Sequence, residues 1–100
     1  MFQGGKSKPV VWDLTISEET QDHIWERHKI DAGRLLEVLE NRSIMIPNRS
    51  GRTASHLLIG TDFSGQCYVI PVLPTDIPGT WNVISAWPCR KVDQDRLGRS

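Results

Sequence analysis

TWNVISAW, Thr80–Trp87, is the last long apolar run of the chain, and Pro88, Cys89, Arg90 and Lys91 follow it at once. Its side chains alternate, so one set can face a core while the other meets solvent or ligand. Read as one strand, it puts Trp81 and Trp87 on the same side, with a basic pair just past its end. Working back from it, a loop with Pro74, Pro78 and Gly79 connects it to QCYVIPVL at 66–73. Pro71 inside that run donates no hydrogen bond, which predicts a bulge or an edge position. Asp62-Phe63-Ser64-Gly65 reads as a hairpin loop, with Gly65 free to take a positive φ, and ASHLLIGT at 54–61 pairs back across it. NRSGR at 48–52 is a polar turn, and SIMIP at 43–47 is the strand before it. These four strands form an antiparallel meander.

The first half reads differently. VVWDL at 10–14 is a short strand. Ser17 is a helix cap, Glu18 and Glu19 suit the positive helix end, and the helix runs to about His28 with Ile24, Trp25 and His28 on one face. Asp31 caps a second helix whose predicted buried stripe is Leu35, Leu36, Val38 and Leu39, with Asn41 as its stop. A short helix is predicted over 91–97. The fold class is α+β: an N-terminal strand and a helical hairpin packed on a four-stranded antiparallel meander, in the order β-α-α-β-β-β-β. Residues 1–9, MFQGGKSKP, read as a disordered tail, and 10–97 as a single domain.

Lys+Arg and Asp+Glu both number 12, a balance that speaks against a non-specific polyanion binder and leaves room for a local basic face. No apolar run is long enough to span a bilayer, and no secretory h-region precedes the domain. Cys67 and Cys89 form neither a CxxC pair nor a zinc spacing. The simplest reading is two reduced thiols in a cytosolic protein, with a Cys67–Cys89 disulfide as the alternative.

No P-loop, GxSxG or HExxH motif is present. Arg49 and Arg52 flank the Gly51 turn and offer planar forks that fit phosphate oxygens; His56 is on the strand leaving that turn, and histidine as a residue type can exchange a proton in catalysis. Arg90 and Lys91 add charge two strands away, on what could be the same face. His28 sits at a helix C-terminus, an end whose dipole favours cationic side chains; the plainer role is packing and carbonyl capping. His23 and His28 are too far apart on one helix for paired metal ligands. Of the tryptophans, Trp25 reads as core, and Trp12 as a neighbour of Trp81 and Trp87. Aromatics on a sheet pack a core, stack bases or form an exposed patch that binds a protein partner.

From about Trp12 to Arg90 the chain resembles the BrnT-like toxins of type II toxin–antitoxin systems, within the RelE/ParE-type superfamily. The resemblance rests on His28-Lys29-Ile30 before a second amphipathic helix, RSGR at 49–52, LIGTDFSGQ at 58–66 and VISAW at 83–87. It implies a RelE-like fold and a cytoplasmic, metal-independent mRNA endoribonuclease, free or on the ribosome, that uses no cofactor and is neutralised by a cognate antitoxin. In such an enzyme Arg52 and His56 would be catalytic, Arg49, Arg90 and Lys91 would bind RNA phosphate, and His28 is a further candidate. The chain departs from the family pattern at Trp87, where Arg is usual, and in a tail without Glu or Tyr. The alternative is a catalytically weak or inactive RelE-fold domain that acts as a protein-interaction module.

Overall fold

Ser17 opens the first helix of the computed structural model, which describes residues 11–99; the predicted tail and Val10 lie outside them. The Ser17 hydroxyl accepts from the Thr20 N–H at 3.1 Å, and α1 (Glu18–His28) follows. Lys29 ends it in the left-handed region at φ 57°, its N–H donating to the Trp25 carbonyl at 2.8 Å. Asp31 then accepts from Gly33 N–H at 2.8 Å and starts α2 (Ala32–Val38). Only Ile24 of α1 is buried. Trp25, predicted as core, is 53% exposed and lies under the Lys29 ammonium at 5.6 Å. In α2 Leu35 and Val38 are buried, but Leu36, predicted to join them, faces outward.

The strands are β1 (Asp13–Thr15), β2 (Ser43–Pro47), β3 (His56–Thr61), β4 (Cys67–Pro74), β5 (Thr80–Val83) and β6 (Trp87–Pro88). Their order is β1-β5-β4-β3-β2, with β6 also paired to β4. From β2 to β5 each strand pairs antiparallel with the next, while β1 joins the sheet parallel to β5. A final helix, α3, spans Lys91–Gly98.

The predicted long strand at 80–87 is interrupted, with β5 before the break and β6 after it. Val72 of β4 faces Val83, whereas Val69 faces Trp87. Two residues of β4, Ile70 and Pro71, therefore lie opposite three, Ile84, Ser85 and Ala86, which is a β-bulge. Ile84 N–H donates to the Pro71 carbonyl at 2.9 Å, but Pro71 has no N–H to return. The ladder lapses beside a residue with no N–H to give. The extra residue inverts the alternation, so Trp81 and Trp87 point to opposite faces rather than sharing one.

Each face has its own core. Under α1 and α2, Leu14, Ile24, Leu35, Val38, Leu58, Ile70, Val72, Trp81 and Val83 pack together. Behind the sheet, Ile59, Cys67, Val69 and Leu97 form a smaller cluster, covered by α3 and bordered by Ile46, Leu57 and Trp87. Trp12 joins neither. It is 76% exposed and lies over Gly79, where any Cβ would overlap the indole. Gly60 of β3 is also tightly covered, beneath α2: a Cβ there would come within 2.6 Å of Val38 Cγ1 and 2.8 Å of the Arg42 carbonyl oxygen. Gly60→Ala is expected to cost about 1–3 kcal/mol in urea unfolding through overpacking. An unchanged midpoint would mean that α2 moves aside freely.

The cysteines correct a further expectation. Cys89 N–H donates to the Cys67 carbonyl at 3.0 Å, the Cα atoms are 5.3 Å apart, and the two form a disulfide rather than free thiols. The β4–β6 register brings them face to face, a proximity that their separation of 22 residues conceals.

Candidate nucleic-acid interface

The turn between β2 and β3 is held by one side chain. Asn48 Nδ2 donates to the Ala54 carbonyl at 2.9 Å, Asn48 N–H to the Ser55 carbonyl at 2.9 Å, and Asn48 Oδ1 accepts from Arg49 N–H at 2.9 Å. Gly51, at φ 84°, completes the bend. Arg49 and Arg52 project from this frame, both exposed.

Across the same sheet face, β6 leads into α3. Asp93, 1% exposed, accepts from the Arg90 backbone N–H at 2.9 Å and from Arg90 Nε at 3.4 Å. One buried carboxylate thus fixes both the helix start and the base of the arginine fork. The Arg90 side chain remains 75% exposed, with its outer nitrogens free to meet a ligand. Asp93 and Leu97, four residues apart, form the buried stripe of α3, and Arg96 borders it.

Arg49 and Arg52 from the turn, Arg90 at the N-cap of α3 and Arg96 within it line one cavity of about 530 Å³. Its strand-borne lining includes Ile46, Leu57 and Trp87. A chain with no net charge has therefore gathered four arginines on one concave surface. Such a surface attracts polyanions locally, and guanidinium forks suit phosphate. No histidine or carboxylate is among the described lining residues.

The structure brings together Arg49, Arg52 and Arg90 of the set expected from sequence, and adds Arg96, which that reading missed. The signal for Arg96 was the i, i+4 pair Asp93 and Leu97, which orients the short helix. Lys91 is not in the cavity lining; it pairs with Asp95 at 3.7 Å along α3. His56 lies on the other face of the sheet from Leu57. Its ring meets Trp81 edge-on at 5.1 Å between centroids, and its Nδ1 is 2.9 Å from the Ser55 hydroxyl. His28 is exposed at the end of α1, in the layer that covers that same face. Among the described residues no three His, Cys, Asp or Glu side chains converge on a point that would hold a metal ion.

This architecture superimposes on the crystal structure of the Brucella abortus ribonuclease toxin BrnT with a TM-score of 0.59, covering 78% of this chain and 96% of that one. The fold resembles that of BrnT. Sequence identity is 15%, so the likeness to BrnT concerns the arrangement of the backbone. No family model and no curated protein matches the chain. No helix among the described residues is long and apolar enough to cross a membrane.

Proposed function

We propose that this chain is the toxin of a type II toxin–antitoxin pair, a RelE-like endoribonuclease that acts on mRNA in the cytoplasm, needs no metal ion and is neutralised by a cognate antitoxin. The observation that carries the reading is the convergence of Arg49, Arg52, Arg90 and Arg96 on one cavity in a chain of zero net charge, on a fold like that of a ribonuclease toxin. In the reaction, a ribose 2′-oxygen attacks the adjacent phosphorus, the P–O5′ bond breaks, and a 2′,3′-cyclic phosphate and a 5′-hydroxyl result. The negative charge that builds on the phosphoryl oxygens is what guanidinium groups in a partly enclosed cavity stabilise. Arg52 and Arg49 hold the scissile phosphate from the turn. Arg90, braced by Asp93, meets it from α3. With no histidine or carboxylate among the described lining residues, the 2′-hydroxyl proton passes to solvent, and the departing 5′-oxygen takes its proton from water.

That same lining favours a second reading, a domain that binds RNA or a protein partner without cleaving. One assay separates the two. Purified chain is incubated with labelled single-stranded RNA in excess EDTA, and the ends of the products are identified. Cleavage to cyclic phosphate ends, reduced about 100-fold by Arg52→Ala, is expected from loss of one oxyanion-stabilising group. Binding without cleavage would leave the second reading standing. Unimpaired growth of a bacterial host on induced expression would remove the toxin role.

A further inference from the structure

We infer that Trp87 is a stacking platform for one unpaired base, so that the cavity takes single-stranded RNA and rejects duplex. This rests on the RNA reading of the arginine cavity and names the substrate form that cavity selects. The bulge at 84–86 turns Trp87 away from the helix-covered core and into the cavity lining, where it is the one aromatic residue among the described ones. The indole is half-buried. It packs beside the apolar cluster of Ile59, Val69 and Leu97 and still contributes to the cavity surface. Among the described residues the one cation seated over an indole is Lys29 on Trp25; no arginine covers Trp87.

Trp87 shares the cavity lining with two arginines of the β2–β3 turn, Arg49 and Arg52, and with Arg90 at the N-cap of α3 and Arg96 within it. A strand whose base stacks on Trp87 can therefore bring its phosphates to guanidinium groups of the same cavity. At about 530 Å³ the cavity has the size of a small-ligand pocket and admits a splayed-out nucleotide, not a helix. In an A-form duplex the base faces are already stacked on their neighbours, and only edges and backbone are presented. An aromatic platform has nothing to stack on there. Because every base has a π-face, the platform discriminates strandedness more than sequence.

The test is fluorescence anisotropy with three probes that the protein cannot cleave. They are a labelled 2′-O-methyl decaribonucleotide, the same strand in a duplex, and a strand of equal length in which the bases are absent. Wild-type protein is expected to bind the single strand at least about 10-fold more tightly than either of the others. Trp87→Ala should weaken single-strand binding roughly 5- to 150-fold, the range for one lost base–aromatic stack, and leave the abasic probe unaffected. Trp87→Phe should retain most of the affinity. Equal affinity of wild type for the base-bearing and abasic strands overturns the inference, as does undiminished binding by a folded Trp87→Ala variant. If circular dichroism shows that this variant does not fold, the wild-type comparison and Trp87→Phe decide the matter. Failure of wild type to bind any probe would instead remove the RNA reading beneath it, while loss of binding in Arg52→Ala alone would keep the phosphate site and discard the platform.

Discussion

Reducing the Cys67–Cys89 bond, or replacing both residues with serine, is expected to lower the unfolding free energy by about 3 kcal/mol. The bond closes a loop with a sequence separation of 22 residues, and removing such a constraint from the unfolded chain returns entropy of that size. The folded state has little else to hold this region. The strand β6 is two residues long, and α3 contributes Leu97 and Asp93 to the interior. The loss should therefore appear first as faster amide exchange between Trp87 and Leu97, ahead of global unfolding. Urea midpoints with and without a dithiol reductant measure the whole effect, and coincident curves would show that the bond contributes nothing. In the reducing cytoplasm that the toxin reading implies, the chain would carry both thiols and forgo this stabilisation.

Replacing Asp62 with alanine should cost a comparable amount, about 3 kcal/mol. This carboxylate is 2% exposed in the β3–β4 loop. Its Oδ1 accepts from Ser64 N–H at 2.9 Å, Ser64 Oγ at 2.7 Å and Gln66 N–H at 3.0 Å, and its Oδ2 from the Tyr68 hydroxyl at 2.9 Å. Truncation leaves the buried Tyr68 hydroxyl without its partner, where an unsatisfied group costs about 1–3 kcal/mol, while the exposed Ser64 and Gln66 recover part of their loss from water. Burial pushes the Asp62 carboxyl up, but the hydrogen bonds from Ser64, Gln66 and Tyr68 outweigh it and hold the group below its ordinary 3.8. Burial also raises Tyr68, and with the hydrogen bond and charge of Asp62 takes it to about 12.

These bonds give the acid response of the fold a definite sign. With the folded value depressed, the stabilisation is complete above the unfolded value and is lost as pH falls through the folded one. From about pH 5 downward the wild type should lose stability more steeply than Asp62→Asn, which keeps the shape and removes the titration. Parallel slopes for the two would show that the clamp does not depend on the charge.

Much of the fold was legible where the signal is local. Ser17 and Asp31 cap helices because their side chains reach backbone N–H groups two or three residues on, and that reach is written in the sequence. Gly51 and Gly65 sit at positive φ in the turns predicted for them. The RSGR turn stood out as a phosphate-binding candidate, and its arginines do line the cavity. Exposure of single residues was less legible. Trp25 and Leu36 fall at helical spacing with buried neighbours, but α1 and α2 bury a narrow stripe and leave both outside.

Composition, caps, turns and alternation were enough to determine an α+β domain with two early helices, a run of strands and an arginine-bearing turn. Which side of the sheet each residue of TWNVISAW meets was decided by the tertiary structure alone. Direction along a strand is a parity, and one extra residue inverts it. That residue is accommodated at the bulge, where Pro71 of the neighbouring strand cannot return a hydrogen bond to Ile84. The pairing joins residues distant in sequence, so nothing within the stretch itself records it. It carries Trp81 into the main core beside His56, and sets Trp87 among the arginines.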